Sequence, residues 1–404
     1  MNWPRYKSLI TEELITAMFF AVLVFGLGVL SISRWTIGSR TIAAEEKRWL
    51  AAFPHIHWNI QSMTEFPAGF NEFYNDRFAL RKYLIAGINL AKYKAFDYSS
   101  SDKVLVGKKD WLFFFDGGDE ETLRGYPLLT HAELENWVRV LEARRAWLAA
   151  RNIRYFLFMP PSKCTIYREY TPCAYTCLNK LSRLDQLNAA LVSNSHVDFL
   201  DIRSLFMQAK NVVPLYFKTD THWNRMGAFV AYQAVIQHLK KWFPAIEPLE
   251  TKDLKIEAFK YRGGDMTAMM GMPGLIPETV WQGFVRVFKY RISDNPPAPN
   301  FDNEAHHTDP FATEIDDPSL PKAFCLRDSF MTAPQWYFSQ NFRRIAYYWR
   351  YDFPVEVIEA EKPDIVIQEI TERRLARGVP YNPPEVNKYA HVELVVAGCP
   401  GSVN

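Results

Sequence analysis

The chain has 404 residues, of which 48% are hydrophobic and 23% are charged, and these globular values exclude wholesale disorder. Its 47 basic and 45 acidic residues give a net charge of +2, which excludes the basic footprint of a typical nucleic-acid-binding protein. Aromatic residues make up 15% of the chain, which fits either a large core or a sugar-binding groove.

Residues 14–32 form an apolar segment without a charged side chain, LITAMFFAVLVFGLGVLSI. As a helix at about 1.5 Å per residue it is roughly 28 Å long, which matches the hydrocarbon thickness of a bilayer. A cleaved signal peptide would have a shorter apolar region of about 7–15 residues, and a buried core helix is rarely apolar on every face. We therefore predict a transmembrane signal-anchor that follows a cytoplasmic N-terminus, residues 1–13.

The charges beside this segment leave its orientation open. Arg5 and Lys7 precede it, whereas Arg34 and Arg40 follow it, so the positive-inside rule does not favour a C-terminus outside the cytoplasm. Large domains are translocated largely regardless of flanking charges, so the rule has little weight for the long region that follows.

The rest of the chain shows a helical arm and then alternating helices and strands. Residues 41–98 have apolar side chains at helical spacing and predict the N-terminal arm. The main domain, residues 104–375, begins with a predicted hairpin at 104–115. The predicted helices that follow are residues 131–151, 180–192, 223–242, 329–338 and 355–360. The predicted strands are residues 155–159, 197–202, 323–326, 344–349 and 364–370. This alternation predicts a doubly wound parallel α/β sheet.

Two regions depart from the alternation. Residues 243–320 are rich in proline and contain the pair Gly263–Gly264, so we predict a β-rich insertion that carries a substrate-facing loop. Residues 376–404 predict an irregular C-terminal tail.

Three of the five cysteines, Cys164, Cys173 and Cys177, lie within fourteen residues. In an oxidising compartment this cluster predicts one disulfide, but the spacing does not decide the partners. A zinc site is the alternative, and the absence of a histidine near the cluster disfavours it.

Asp220 and His222 lie two residues apart at the start of the predicted helix 223–242. A carboxylate can hold an imidazole in one tautomer and stabilise its cation, as a general base requires. The structural alternative is that Asp220 caps the helix and His222 is a surface residue.

Ser329 follows Asp328 where a predicted strand turns into a helix. Ligands of open α/β sheets bind at this carboxyl end of the strands, and the N–H at a helix start can stabilise an oxyanion. The alternative is an ordinary helix cap. Together Ser329, His222 and Asp220 would supply the nucleophile, base and orienting carboxylate that acyl transfer needs.

Four further residues are candidates for substrate contact. Lys163 follows Pro160–Pro161 at another strand end and is either a contact for the donor or polymer or a surface lysine. Trp223, Trp336 and Tyr337 are candidates for the walls of a sugar-binding groove, and core packing is the alternative.

Several sequence blocks between about residues 45 and 375 resemble one enzyme family. The most specific block is Asp220-Thr221-His222-Trp223-Asn224 with Gly227-Ala228. The supporting blocks are FPAGFNEFYNDRFALR at 66–81, Val106-Gly107 with Trp111-Leu112-Phe113, Pro160-Pro161-Ser162-Lys163, Asp328-Ser329-Phe330 and Lys362-Pro363-Asp364-Ile365-Val366. Together they resemble the alginate O-acetyltransferases of the AlgJ/AlgX type, whose catalytic domain is similar to SGNH hydrolases.

The resemblance implies an SGNH hydrolase-like sheet in circularly permuted order, with Asp-x-His before Ser. It implies that Ser329 is the nucleophile, His222 the base and Asp220 its orienting partner, without a metal or cofactor. It also implies a single-pass protein of the bacterial inner membrane whose periplasmic domain acetylates an exported polysaccharide. A membrane-embedded protein of the MBOAT type would supply the acetyl group.

The chain departs from the family pattern at Arg327, which replaces the glycine of the usual Gly-Asp-Ser block. This side chain would narrow the site, contact an anionic sugar or weaken the chemistry. The residues after 375 are too few for the carbohydrate-binding module of AlgX, so the chain is closer to AlgJ. The alternatives are an acetylesterase with the same triad and a non-catalytic, membrane-anchored polysaccharide-binding assembly factor.

Overall fold

The computed structural model describes residues 42–43, 48–55, 58–78, 80–172, 174–175, 178–297 and 309–390. The predicted membrane span at 14–32 and the residues Cys173 and Cys177 lie outside these ranges. Among the helices within them, none has both the length and the apolar character needed to cross a bilayer. The chain divides into two compact units, and the smaller one combines the described residues up to Ser101 with Thr267–Leu275.

The smaller unit is mainly helical. Its first elements are a pair of antiparallel strands, β1 (Ile42–Ala43) and β2 (Arg48–Trp49), and two helices, α1 (Ile60–Arg77) and α2 (Arg81–Phe96). Helix α1 begins after Asn59, whose side-chain oxygen accepts the backbone N–H of Ser62 at 2.7 Å. The region predicted as a helical arm therefore contains two long helices and also a short strand pair.

The larger unit holds most of the strands. They are β3 (Val104–Val106), β4 (Leu112–Phe114), β5 (Arg154–Phe158), β6 (Asp198–Leu200), β7 (Leu254–Tyr261), β8 (Glu278–Val285), β9 (Arg291–Ile292), β10 (Phe311–Glu314), β11 (Lys322–Arg327), β12 (Arg344–Trp349) and β13 (Ile365–Glu369). The helices that follow α2 are α3 (Asp119–Arg124), α4 (His131–Ala149), α5 (Lys163–Ile166), α6 (Arg183–Asn194), α7 (Arg203–Ala209), α8 (Arg225–Leu239), α9 (Asp265–Met269), α10 (Gln335–Phe338), α11 (Val355–Glu361) and α12 (Pro384–Asn387).

Seven of these strands form one sheet in the order β6-β5-β13-β11-β12-β10-β9. The first five are parallel, as predicted, but β10 and β9 are antiparallel to their neighbours. The prediction of a wholly parallel sheet is therefore wrong at this edge. Only residues 315–321 separate β10 from β11, which is too short for the crossover that parallel strands require.

Both faces of the sheet are buried. Alternate residues of β5 point to opposite faces, so Phe156 and Phe158 join one apolar cluster and Tyr155 and Leu157 the other. Helix α8 covers the first face, whereas α4 and α6 cover the second. Burial on both faces explains why these strands are apolar throughout rather than alternating.

Helix α8 packs closely on the loop that precedes it. Its cap residue Asn224 accepts the backbone N–H groups of Met226 and Gly227 at 2.9 and 3.0 Å. A Cβ atom on Gly227 would lie 2.2 Å from the carbonyl oxygen of Leu215. The N–H of Asn224 donates to this same carbonyl at 2.9 Å. Because Gly227 has no side chain, the start of helix α8 can pack directly against Leu215, in the segment that leads to Asp220 and His222.

We expect Gly227→Ala to lower the free energy of unfolding by about 1–3 kcal/mol, the usual cost of overpacking. Alanine is the better helix former by about 1 kcal/mol, so any loss reports the clash with the Leu215 carbonyl. Urea denaturation followed by tryptophan fluorescence measures the change. The control is Gly87→Ala in α2, where an added Cβ meets nothing within 4 Å. Equal stability of Gly227→Ala and wild type would contradict this account.

Candidate active site

Asp220 and His222 lie in a tight loop that an antiparallel bridge between Tyr216 and Trp223 closes. The indole N–H of buried Trp223 donates to the carbonyl oxygen of Phe330 at 2.9 Å. This bond connects the loop to the chain segment that directly follows Ser329.

The structure brings Asp220, His222 and Ser329 together in one hydrogen-bonded chain. Nδ1 of His222 lies 2.7 Å from Oδ1 of Asp220, and Nε2 lies 2.8 Å from Oγ of Ser329. The backbone N–H of His222 also donates to Oδ1 of Asp220, at 3.0 Å. A hydroxyl, an imidazole and a carboxylate in this order form the arrangement that activates a serine for nucleophilic attack.

Asp220 is ionised at neutral pH because of its partners. Burial alone would raise the pKa of its carboxyl group, but hydrogen bonds to His222 and the Coulombic attraction of that residue outweigh burial and lower the pKa to about 2. Its Oδ2 atom accepts the backbone N–H of Asp265 at 3.2 Å and the hydroxyl of Tyr261 at 3.3 Å. These bonds keep the carboxylate oriented toward the imidazole.

Asp265 is a second carboxylate in the site, and sequence reasoning missed it. Its Oδ1 and Oδ2 atoms accept the N–H and the hydroxyl of Thr221 at 2.8 and 2.6 Å, and Oδ2 lies 3.9 Å from Nδ1 of His222. Burial raises the pKa of Asp265, and repulsion from Asp220 raises it further. The one feature of the sequence that could have indicated Asp265 is its position directly after Gly263–Gly264 in the predicted insertion.

The side chains of Asp220, His222 and Asp265 each offer one ligand atom, and these atoms lie within 4.8 Å of one another. This spacing is compatible with a metal ion. However, a metal at this point would displace the 2.7 Å bond between Asp220 and His222. We therefore describe the cluster as a hydrogen-bonded network and assign no metal to it.

Ser329 stands at the carboxyl end of β11, and the preceding residue holds it there. Asp328 is buried, and its Oδ1 atom accepts the N–H of Phe330 at 2.8 Å. Its Oδ2 atom accepts the hydroxyl of Tyr351 at 3.0 Å and both the N–H and the hydroxyl of Thr371. Ser329 is thereby fixed where ligands bind in α/β sheets.

A cavity of about 630 Å³ lies over Ser329 and His222. Eight aromatic side chains line it: Phe217, Trp223, Phe259, Tyr261, Phe284, Phe330, Trp336 and Trp349. Several of them lie on one face of the hairpin formed by β7 and β8, since alternate residues of a strand share a face. The predicted insertion therefore supplies one wall of the cavity.

Of the residues predicted to contact substrate, Trp223 and Trp336 line this cavity and Lys163 does not. Lys163 is buried, and its ammonium group donates to the backbone carbonyls of Phe217, Lys218 and Asp220 at 3.1, 3.1 and 2.7 Å. Burial lowers its pKa to about 8, against the attraction of Asp220 and other carboxylates. Lys163 therefore holds the loop of Asp220 and His222 in place.

Arg327 and Tyr337 also lie outside the cavity lining. The buried guanidinium of Arg327 lies 4.5 Å from the ring centroid of Trp349 and donates to the hydroxyl of Thr332 at 3.3 Å. The hydroxyl of buried Tyr337 donates to the carbonyl oxygen of Gly283 at 2.6 Å. The sequence pattern placed these side chains near Ser329 but could not show that they point into the protein.

Comparisons with known proteins support the fold and the resemblance to a family. Residues 104–299 match the family model described as "SGNH hydrolase-like domain, acetyltransferase AlgX". A protein of Pseudomonas aeruginosa, described as "Probable alginate O-acetylase AlgJ", is 24% identical over 304 residues, which are 70% of this chain and 72% of the relative. The resemblance predicted from the sequence is therefore confirmed.

Two solved structures are also similar. PatB1 of Bacillus cereus has a TM-score of 0.50 and 17% identity, and the match covers 67% of this chain and 96% of PatB1. The O-acetyltransferase domain of Pseudomonas putida AlgJ has a TM-score of 0.45 and 19% identity, over 71% of this chain and 99% of that domain. The likeness to PatB1 concerns the fold alone and does not extend to function.

Gly264 contacts Asp220 so closely that we expect Gly264→Ala to separate Asp220 from His222. An added Cβ would lie 2.4 Å from Cβ and 2.5 Å from Oδ2 of Asp220. The low-field proton NMR signal of the hydrogen bond between Asp220 and His222 should then weaken or move upfield. Gly87→Ala adds the same methyl group where nothing lies within 4 Å and should leave that signal intact. An unchanged signal in Gly264→Ala would show that the contact does not position Asp220.

Proposed function

Because this chain carries an SGNH hydrolase-like domain of the AlgX acetyltransferase type, we propose that it transfers acetyl groups to hydroxyls of an exported polysaccharide. One observation carries the proposal: His222 is hydrogen-bonded to Asp220 at 2.7 Å and to Ser329 at 2.8 Å, and all three residues line an aromatic cavity. The relative described as an alginate O-acetylase supports alginate or a similar exopolysaccharide as the acceptor.

The first step forms an acetyl-enzyme. Nε2 of His222 takes the proton of Ser329, and Oγ attacks the carbonyl carbon of the acetyl donor. Asp220, ionised because its pKa is about 2, stabilises the imidazolium that results. The tetrahedral intermediate expels the donor's leaving group, which takes the proton from Nε2. Ser329 then carries the acetyl group as an ester.

The second step returns the enzyme to its starting state. Nε2 of His222 removes the proton from a sugar hydroxyl, whose oxygen attacks the acetyl carbonyl. Ser329 leaves and regains its proton from His222. A hydroxyl held against the aromatic walls has a high effective concentration, and those walls limit the access of water. This difference favours transfer to the sugar over hydrolysis.

The location of the enzyme is part of the proposal. The apolar residues 14–32 support a single-pass anchor in the bacterial inner membrane, with the catalytic domain in the periplasm. Because acetyl-CoA is cytoplasmic, a membrane-embedded protein of the MBOAT type would pass the acetyl group across the membrane to Ser329.

We expect the full chain, incubated with an activated acetyl ester, to gain the mass of one acetyl group on Ser329. Intact-mass spectrometry and peptide mapping measure the adduct. Ser329→Ala should gain none, whereas Ser319→Ala, which alters an exposed serine of the same unit, should react like wild type. Labelling of Ser329→Ala at the wild-type rate would overturn the assignment of the nucleophile. Release of free acetate without transfer to oligosaccharide acceptors would identify an acetylesterase.

We expect His222→Ala to lower kcat/KM for acetyl transfer at least about a thousandfold, since it removes the imidazole that lies 2.8 Å from Ser329 Oγ. His238 provides a matched control because it forms a second Asp–His pair, with Nε2 lying 2.7 Å from Oδ1 of Asp198, away from the serine. His238→Ala should keep activity near the wild-type value. A loss below tenfold in His222→Ala would exclude its role as the base.

A further inference from the structure

A second, smaller cavity of about 290 Å³ adjoins the cavity over Ser329. Arg225, Phe284 and Trp336 line both cavities and form what we call the junction. Beyond the junction, Phe288 and Tyr290 line the smaller cavity. The rings of Tyr290 and Trp336 are nearly parallel, at an interplanar angle of 13°. The smaller cavity is thus lined mainly by aromatic rings, which can pack against the face of a sugar ring.

Arg225 is the only lysine or arginine among the described residues that line the two cavities. Its guanidinium lies 4.5 Å from the ring centroid of Phe284. None of the ion pairs in the described part of the chain includes it. Its backbone N–H is engaged separately, by the side chain of Gln282 at 3.2 Å.

Arg225 differs from the arginines of this protein that form ion pairs within the fold. Arg203 is paired with Asp201, and Arg344 is paired with Glu361, at 2.6 and 2.7 Å. Arg225, by contrast, begins helix α8, whose first turn contains no acidic residue. The helix dipole disfavours a cation at a helix start. Among the described residues, the ring of Phe284 therefore contacts the guanidinium of Arg225 but no acidic side chain pairs with it, and its charge is open to an anion in the cavities.

We propose that the smaller cavity is a second sugar subsite and that Arg225 binds the carboxylate of a uronic acid residue there, next to the sugar that receives the acetyl group. This inference rests on the proposed function. A guanidinium binds a carboxylate through two parallel N–H···O bonds, and the adjacent aromatic rings strengthen the pair by excluding water. The reacting sugar lies in the larger cavity, where no further described cation faces it. Because Arg225 stands at the junction, it can bind the carboxylate of a sugar in the smaller cavity while the neighbouring sugar reacts at Ser329.

The test compares an oligomannuronate with the same oligosaccharide after its carboxyl groups have been reduced to alcohols. For the wild-type full chain we expect kcat/KM to be about tenfold to a hundredfold higher with the carboxylated acceptor than with the reduced one. This ratio is the usual contribution of one hydrogen-bonded pair of charged groups. In Arg225→Gln this ratio should fall to near one. Because the ratio compares acceptors within one variant, a change in the acetyl-enzyme step does not affect it.

Lys260→Gln is the matched control, since Lys260 is an exposed cation on the opposite face of the same hairpin. It should keep the wild-type ratio. Arg225→Lys, which retains the charge but not the two parallel bonds, should give an intermediate ratio. A ratio near one in wild type, or a wild-type ratio in Arg225→Gln, overturns the proposal.

Direct binding keeps the test independent of turnover. Calorimetric titration of oligomannuronate into Ser329→Ala should give a Kd that rises about tenfold or more when Arg225→Gln is added. Equal Kd values in the two proteins would overturn the subsite. If wild type forms no acetyl-enzyme but binding still depends on Arg225, the proposed reaction fails and the subsite stands.

Discussion

The hydrogen bond between Asp220 and His222 depends on a loop that other parts of the larger unit hold in place. The ammonium group of Lys163 donates to three of its carbonyls, including that of Asp220. Glu278, at the start of β8, accepts the N–H groups of Lys218 and Thr219 at 2.8 and 3.0 Å. The charged groups of Lys163 and Glu278 are withdrawn from water in this arrangement. Their hydrogen bonds compensate for the loss of hydration, so the removal of any one partner would destabilise the loop. The geometry of the triad is thus a property of the whole network.

The sheet contributes the other half of the site. Ser329 stands at the end of β11, and Asp328 uses both carboxylate oxygens to fix the turn that follows. Trp223 then joins the loop to this turn through the Phe330 carbonyl. Ser329 and His222 come from distant parts of the sequence, yet a short series of buried polar bonds aligns them. For the proposed reaction, such pre-organisation would let the site act without rearranging.

The parts of the site that were predictable are those encoded locally. Asp220 and His222 share one loop, and Ser329 ends an apolar strand, so spacing and pattern indicated these residues and the family resemblance implied their roles. Asp265 was missed because its contact with Thr221 joins segments far apart in the chain. Lys163 was assigned to the substrate because a sequence pattern locates a side chain on an element but does not show which way it points. The antiparallel strands β9 and β10 were missed because four or fewer residues carry too little periodicity.

The hairpin of β7 and β8 has two separate roles in the site. One of its faces lines the cavity, whereas its polar anchor, Glu278, lies at the end that joins the catalytic loop. Phe259, Val280 and Phe284 can therefore be exchanged without altering any bond of the triad. Tyr261 is different, because its hydroxyl donates to Oδ2 of Asp220 at 3.3 Å. The shape of the cavity and the alignment of Asp220 with His222 thus depend on mostly different side chains of one hairpin.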